Sequence, residues 1–279
     1  LIYGKLGFPR LEIEGAALAT VIARGLMTVA FLFIIWRDKQ IREMKSQLSA
    51  LSRSVTEGKM EIKNYVRPIL RIGIPAGFQF FWEVAAFGVA QIMSGWIGVV
   101  EQAAHLVAIG LASITFMVLT GISAAGNILT GYAYGAKDRA GIRMAGNTVF
   151  LLTLAIELVF ALVFLLFNNL LPKLYTDNTD VIELAASMLI FGALFQISDG
   201  MQASAAGALR GMQDVRLPMV IALVSYWMVM VPACYLLAFK AGLGLAGIWI
   251  GFIIGLSLAA ALLLIRFWWM VARVKFEEV

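Results

Sequence analysis

The chain has 279 residues, 61% of them hydrophobic and 14% charged, with a formal net charge of +5 and a mean hydropathy of +0.89. A water-soluble domain of this length is not so apolar, and the basic residues lie between apolar runs, so the excess charge is a signal of topology and not of nucleic-acid binding. His105 is the only histidine and Cys234 the only cysteine, which excludes a Cys/His metal centre and any disulfide within the chain.

The chain opens on LIYGKLGFPRLEIEG, a loop-like stretch with neither an initiator Met nor a signal peptide, and we read the sequence as a piece of a longer protein. Seven apolar stretches follow, each long enough to cross a bilayer: Gly15 to Trp36, Ile72 to Gly98, Ala103 to Tyr134, Ala145 to Phe167, Val181 to Leu209, Leu217 to Phe239 and Leu245 to Met270. The expected fold is an all-α membrane protein of seven transmembrane helices. Its parts are a first segment (1–36) of loop and one helix, a basic connecting loop (37–71), a six-helix bundle (72–270) and a short tail (271–279).

With the 37–71 loop placed inside the cell, seventeen Lys and Arg fall on that side, against Lys5, Arg10, Lys173 and Lys240 on the other. The positive-inside rule therefore puts the amino end of this chain outside and the carboxyl end in the cytoplasm. In the basic loop, Ile41, Met44, Leu48, Leu51 and Val55 recur at helical spacing with Arg42, Lys45 and Arg53 between them, the pattern of an amphipathic helix lying on the membrane surface.

The second span reads IGIPAGFQFFWEVAAFGVAQIMSGWIGVV, and Glu83 is its one ionisable residue. An acid in mid-span costs about 2.5–3.5 kcal/mol on insertion scales and turns toward a cavity or a partner, which makes Glu83 a functional candidate. Gln79 and Gln91, four residues before it and eight after, fall on the same side of the helix. The third span carries Thr120, Ser123, Asn127, Thr130 and Tyr134 along one stripe among glycines. Small polar residues of this kind mediate helix packing, whereas Asn127 and Tyr134, with larger polar groups, are candidates for a cavity wall. In the fifth span Asp199, flanked by Gln196 and Gln202, repeats the arrangement around Glu83.

Arg24 and Glu157 also sit in mid-span. No polar stripe accompanies Glu157, so it reads as a structural partner for another span, and Arg24 is the cation it could meet. His105 is expected at the interface. An intramembrane enzyme stays only a lesser alternative, since no nucleophile, base or glycine motif accompanies the acids. Two further stretches echo each other, SAAGNILTGYAYGAKD (Ser123 to Asp138) and SAAGALRGMQD (Ser204 to Asp214), as in membrane proteins built from repeats.

Three stretches together, RIGIPAGFQFFWEVAAFG (71–88), AAHLVAIGLAS with TGISAAGNILTGYAYGAKD (103–138), and FQISDGMQASAAGALRGMQD (195–214), resemble the multidrug and toxic compound extrusion (MATE) family and its NorM-like members. The resemblance implies twelve helices in two six-helix lobes around a cavity, of which this chain holds the sixth helix and the carboxyl lobe; the amino lobe would be its partner. It implies a coupling-cation site on the seventh and tenth helices, at positions that match Glu83 and Asp199. The expected activity is export of amphipathic, mostly cationic compounds across a bacterial inner membrane, with no cofactor and with Na+ or H+ as coupling ion. Related flippases keep export of lipid-linked saccharides open as an alternative.

Overall fold

The computed structural model describes residues 12–37 and 62–274. The surface helix expected within 37–71 and the opening loop lie outside the described residues. Among the described residues seven helices are long and apolar enough to cross a membrane. They are α1 (Glu12–Arg37), α2 (Ile62–Ile97), α3 (Val99–Gly135), α4 (Arg139–Leu166), α5 (Thr179–Gly211), α6 (Arg216–Lys240) and α7 (Gly244–Arg273), with a 3₁₀ turn at Leu171–Leu174. Each apolar stretch of the sequence corresponds to one helix, and there is no strand among the described residues. The helix that carries Glu83 begins at Ile62 rather than Ile72, because Arg67 and Arg71 continue it instead of interrupting it.

The chain divides into two compact units between Pro68 and Ile69. In the first unit α1 presents Val21, Leu26, Phe31 and Ile34 on its exposed surface, as expected of a helix that is apolar all round and meets lipid.

In the second unit α5 is the central helix, packed against α3, α4 and α7. Small residues allow the approach to α3: Thr130 Oγ1 donates to the Ala208 carbonyl at 3.0 Å, and Ser123 Oγ to that of Ala203 at 2.7 Å. A Cβ on Gly211 would lie 2.4 Å from the Asn127 carbonyl oxygen, so a side chain there cannot be accommodated without separating the helices. The contact of α6 with α7 rests on the same device. Gly247, Gly251 and Gly255, one turn apart on α7, face Ala238, Cys234 and Met230, and a Cβ on any of them would fall within 2.5 Å of α6. Helix α6 is widened to π geometry at Val224–Met230 and Leu236–Lys240, on either side of Pro232, which offers no N–H to a regular ladder.

The sequence echo has a structural counterpart. Helices α3 and α5 both end on a non-glycine residue with positive φ, Lys137 (57°) and Gln213 (61°), followed by an aspartate. In both, the aspartate N–H returns to a carbonyl of the last turn, Asp138 to Ala133 at 2.9 Å and Asp214 to Leu209 at 3.0 Å. Asp138 then caps α4 through Gly141 N–H at 2.9 Å, while Asp214 accepts from Arg266 Nε at 2.6 Å. These turns share one end of the bundle with Arg139, Arg143, Arg210, Arg216, Arg266 and Arg273, hereafter the arginine-rich end.

Candidate functional site

Burial brings the sequence-selected acids together. Glu83 and Asp199 are both buried, and Gln202, itself 2% exposed, stands between them. Its Nε2 donates to Glu83 Oε1 at 3.2 Å and to Asp199 Oδ1 at 3.4 Å. One neutral amide thus bridges two carboxylates inside an apolar bundle. Two ionised acids so placed repel each other with little solvent to screen them, so the arrangement calls for a proton or a cation to balance the charge.

A pocket opens on each side of Glu83. The first, of about 390 Å³, lies toward the α2–α3 turn and holds both acids, with Gln91, His105 and the rings of Phe87, Phe116 and Phe195. The second, of about 250 Å³, lies toward the arginine-rich end. It is lined by Glu83 and Phe116 again, and by Gln79, Thr120, Asn127, Gln202 and Arg210. Glu83 and Phe116 are the two residues shared by both pockets, which puts them at the boundary.

Each pocket has its own support. Behind the first, Phe87, Phe195, Trp249 and Phe252 form an aromatic cluster, with the Phe87 and Phe252 centroids 4.9 Å apart. The wall of the second is held by the Arg210 guanidinium, 5.0 Å above the Phe80 ring. Arg210 Nε and Gln79 Oε1 are buried there without a hydrogen-bond partner, an unmatched donor and acceptor lining one pocket. The position of α2 is fixed further by Trp227 Nε1, which donates to the Trp82 carbonyl at 3.1 Å.

Several expectations are corrected. Gln196 lines neither pocket: it is buried, and its Oε1 accepts from Thr115 Oγ1 of α3. Tyr134 also lines neither; it is half-buried and packs with the apolar residues around Leu209 and Phe267. His105 is not interfacial. It is 1% exposed, packed edge-on against Trp249 with centroids 5.9 Å apart, because α3 begins at Val99 and carries it two turns inside. Glu157 is fully buried with both carboxyl oxygens unpartnered, and Arg24 in the first unit is exposed.

Sequence reasoning missed Arg210, a helix-end charge that entered only the topology count, and did not single out the phenylalanines that line the pockets. It also missed Tyr226, fully buried in the first π-helical stretch and within electrostatic reach of both acids. Among the described residues no cluster of three His, Cys, Asp or Glu could hold a metal.

Long apolar helices wrapped around a carboxylate pair, with a pocket on either side, define an α-helical membrane protein that keeps a polar, acid-lined interior. The chain belongs to the MatE family, whose model matches residues 75–236. It is 38% identical over 272 residues to "Probable multidrug resistance protein NorM" of Mesorhizobium japonicum, covering 95% of this chain and 56% of that protein. With "Multidrug resistance protein NorM" of Vibrio vulnificus it shares 34% over 273 residues, covering 96% and 58%. The chain therefore spans little more than half the length of the curated relatives it matches. Its fold is similar to that of the eukaryotic MATE transporter AtDTX14, with a TM-score of 0.78 and 20% identity over 99% of this chain and 59% of that one. A MATE structure in the bent conformation gives 0.75 and 21%, covering 97% and 58%.

Proposed function

We propose that the full-length protein is a cation-coupled antiporter that exports amphipathic, mostly cationic organic compounds, and that Glu83 and Asp199 form its coupling site. The observation that carries this reading is the Gln202 amide shared between two buried carboxylates at the junction of two pockets. Turned as it is, the amide donates to both acids. Rotated by half a turn, it would present Oε1 to a hard cation held between them, so one residue serves both the cation-loaded and the cation-free site. Sodium is the coupling ion we favour, with the proton as the alternative. Either neutralises one charge of the pair.

Substrate and coupling cation would compete for the same negative charge. An aromatic cation entering the first pocket meets two acids and three phenylalanine rings, a wall suited to cation–π contact. Arrival of the coupling ion would cancel that attraction and release the substrate. Alternating access requires a second lobe facing this one, and the relatives' greater length leaves room for it. The orientation follows the charge asymmetry, with the arginine-rich end in the cytoplasm of a bacterial inner membrane.

The test is substrate efflux by the full-length protein in proteoliposomes under imposed sodium and proton gradients. Substrate movement driven by a sodium gradient is expected; no movement under either gradient would sink the transport reading. Residues 1–279 alone should be inactive, with activity restored by co-expression of the amino-terminal lobe. Robust efflux by these residues alone would refute the two-lobe arrangement.

A further inference from the structure

A third pocket, of about 480 Å³, lies at the arginine-rich end between the start of α4 and the end of α7, away from both acids. Its lining is Arg139, Ala140, Arg143, Trp268, Val271 and Ala272, with two guanidiniums and no carboxylate. We propose that it binds the phosphate of an anionic phospholipid, with Trp268 against the lipid's glycerol and first methylenes.

The two arginines differ in a way that builds a site. Arg139 is held in place: its Nε donates to the Val271 carbonyl at 2.7 Å and its Nη2 to that of Ala272 at 3.0 Å, which ties the start of α4 to the last turn of α7. A guanidinium has five N–H donors, so this anchoring leaves others to face the pocket. Arg143, one helical turn further on, is exposed and forms no ion pair among the described residues. A fixed guanidinium and a free one on the same helix face match the spread oxygens of a phosphate.

Trp268 supplies the apolar side. Its ring packs edge-on against Phe150 and Phe267, with centroids 6.2 and 5.2 Å away, and it is still 36% exposed. A rigid, half-open indole at the end of a span is the side chain that sits at lipid headgroup level.

The neighbouring cluster shows why this pocket, and not every arginine here, takes an external anion. Trp269 lies between Arg266 and Arg273, at 4.5 and 4.2 Å, and Arg266 is also neutralised by Asp214. Both guanidiniums are thus engaged within the protein, Arg266 by an acid and a ring and Arg273 by the ring. Arg143 is not.

A lipid is favoured over free phosphate because the pocket is bounded by the ends of two membrane-spanning helices. A zwitterionic headgroup would bring its own cation against two arginines, so the class is a phosphodiester without a compensating amine, such as phosphatidylglycerol.

The experiment is native mass spectrometry and thermal unfolding of the full-length protein in detergent, titrated separately with phosphatidylglycerol, phosphatidylcholine and inorganic phosphate. Phosphatidylglycerol should bind and raise the melting temperature, and phosphatidylcholine should do neither. Arg143→Gln, at an exposed position without an ion-pair partner among the described residues, should weaken phosphatidylglycerol binding about fivefold, since one basic residue near an anionic membrane surface is worth about that much. Arg143→Lys should recover most of it. Equal binding of the two lipids, unchanged binding in Arg143→Gln, or displacement by millimolar phosphate as effective as by lipid would overturn the proposal. None of these readouts depends on transport, so failure here and failure of the export reading are separable.

Discussion

Toward the α2–α3 turn, Glu83 looks into a pocket with a second acid, three phenylalanines and no cation; toward the arginine-rich end it looks into a smaller one where Arg210 takes the place of Asp199. The same carboxylate therefore has a negative neighbourhood on one side and a positive one on the other. Under the proposed function, an organic cation would be stabilised in the first pocket by charge and by aromatic faces and repelled from the second by the guanidinium. On that reading, a cation at Glu83 would leave more favourably toward the first pocket than toward Arg210. Polarity across a single residue, rather than affinity alone, is what the pair of pockets provides.

The largest effect should come from removing the shared acid or its partner. Glu83→Gln and Asp199→Asn keep the shape of the site and remove the negative charge, and each alone should abolish sodium-driven efflux in proteoliposomes. The double variant should add little, because residues that act as one unit are not additive. Normal coupled transport in either single variant would take that residue out of the mechanism.

Next comes Arg210→Gln, which abolishes the contrast between the pockets without touching either acid. At an effective dielectric of about 20, a unit charge across such a pocket is worth about 1–2 kcal/mol. Sodium binding to the detergent-solubilised protein should tighten between fivefold and thirtyfold, and bulky cations should gain access to the second pocket. Unchanged sodium affinity would mean that Arg210 does not act on Glu83.

Phe116 shares the boundary of the two pockets with Glu83, and Phe116→Ala is expected to join them. Loss of one cation–π face costs about 0.5–1 kcal/mol, so affinity for aromatic cations should fall two- to fivefold, while Phe116→Leu, which keeps the partition, should preserve the separation of substrate classes. Competition binding with cations of graded size distinguishes these outcomes.

The helices and the acid pair were legible in the sequence because an acid inside an apolar span is conspicuous. What was not legible is how polar residues on one nominal stripe divide between packing and lining. Each residue turns the helix by about 100°. Gln196 and Gln202, three residues either side of Asp199, are thus about 120° apart, so Gln202 meets Glu83 while Gln196 meets Thr115. Gln79 and Gln91 diverge by the same angle around Glu83 and line different pockets. On α3, Thr130 falls toward α5 and bonds its Ala208 carbonyl, whereas Thr120 and Asn127, turned some tens of degrees away, line the second pocket, and Ser123 does both, bonding the Ala203 carbonyl at that pocket's edge. Arg210 escaped notice because charge counting treats an arginine at a helix end as loop. Its cation–π contact with Phe80 depends on a neighbouring helix that no local pattern specifies.

The smallest effect on transport is expected at Glu157, a third buried acid that lines neither pocket. Both its oxygens lack a partner, and the carboxyl packs against Gly200, where a Cβ would lie 2.4 Å from Oε1. An unpartnered buried polar group costs about 1–3 kcal/mol, and an apolar replacement of similar shape relieves that cost. Glu157→Leu should therefore leave the proposed sodium-driven efflux near that of the unaltered protein and raise the melting temperature of the purified protein. Glu157→Gln, which keeps the shape and an unpartnered amide, should change neither property by much. If Glu157→Leu were stable but inactive, the carboxylate would belong to the ion path. The contrast between the pockets would then have to be redrawn with three acids, the third reaching Asp199 from behind α5 rather than through either pocket.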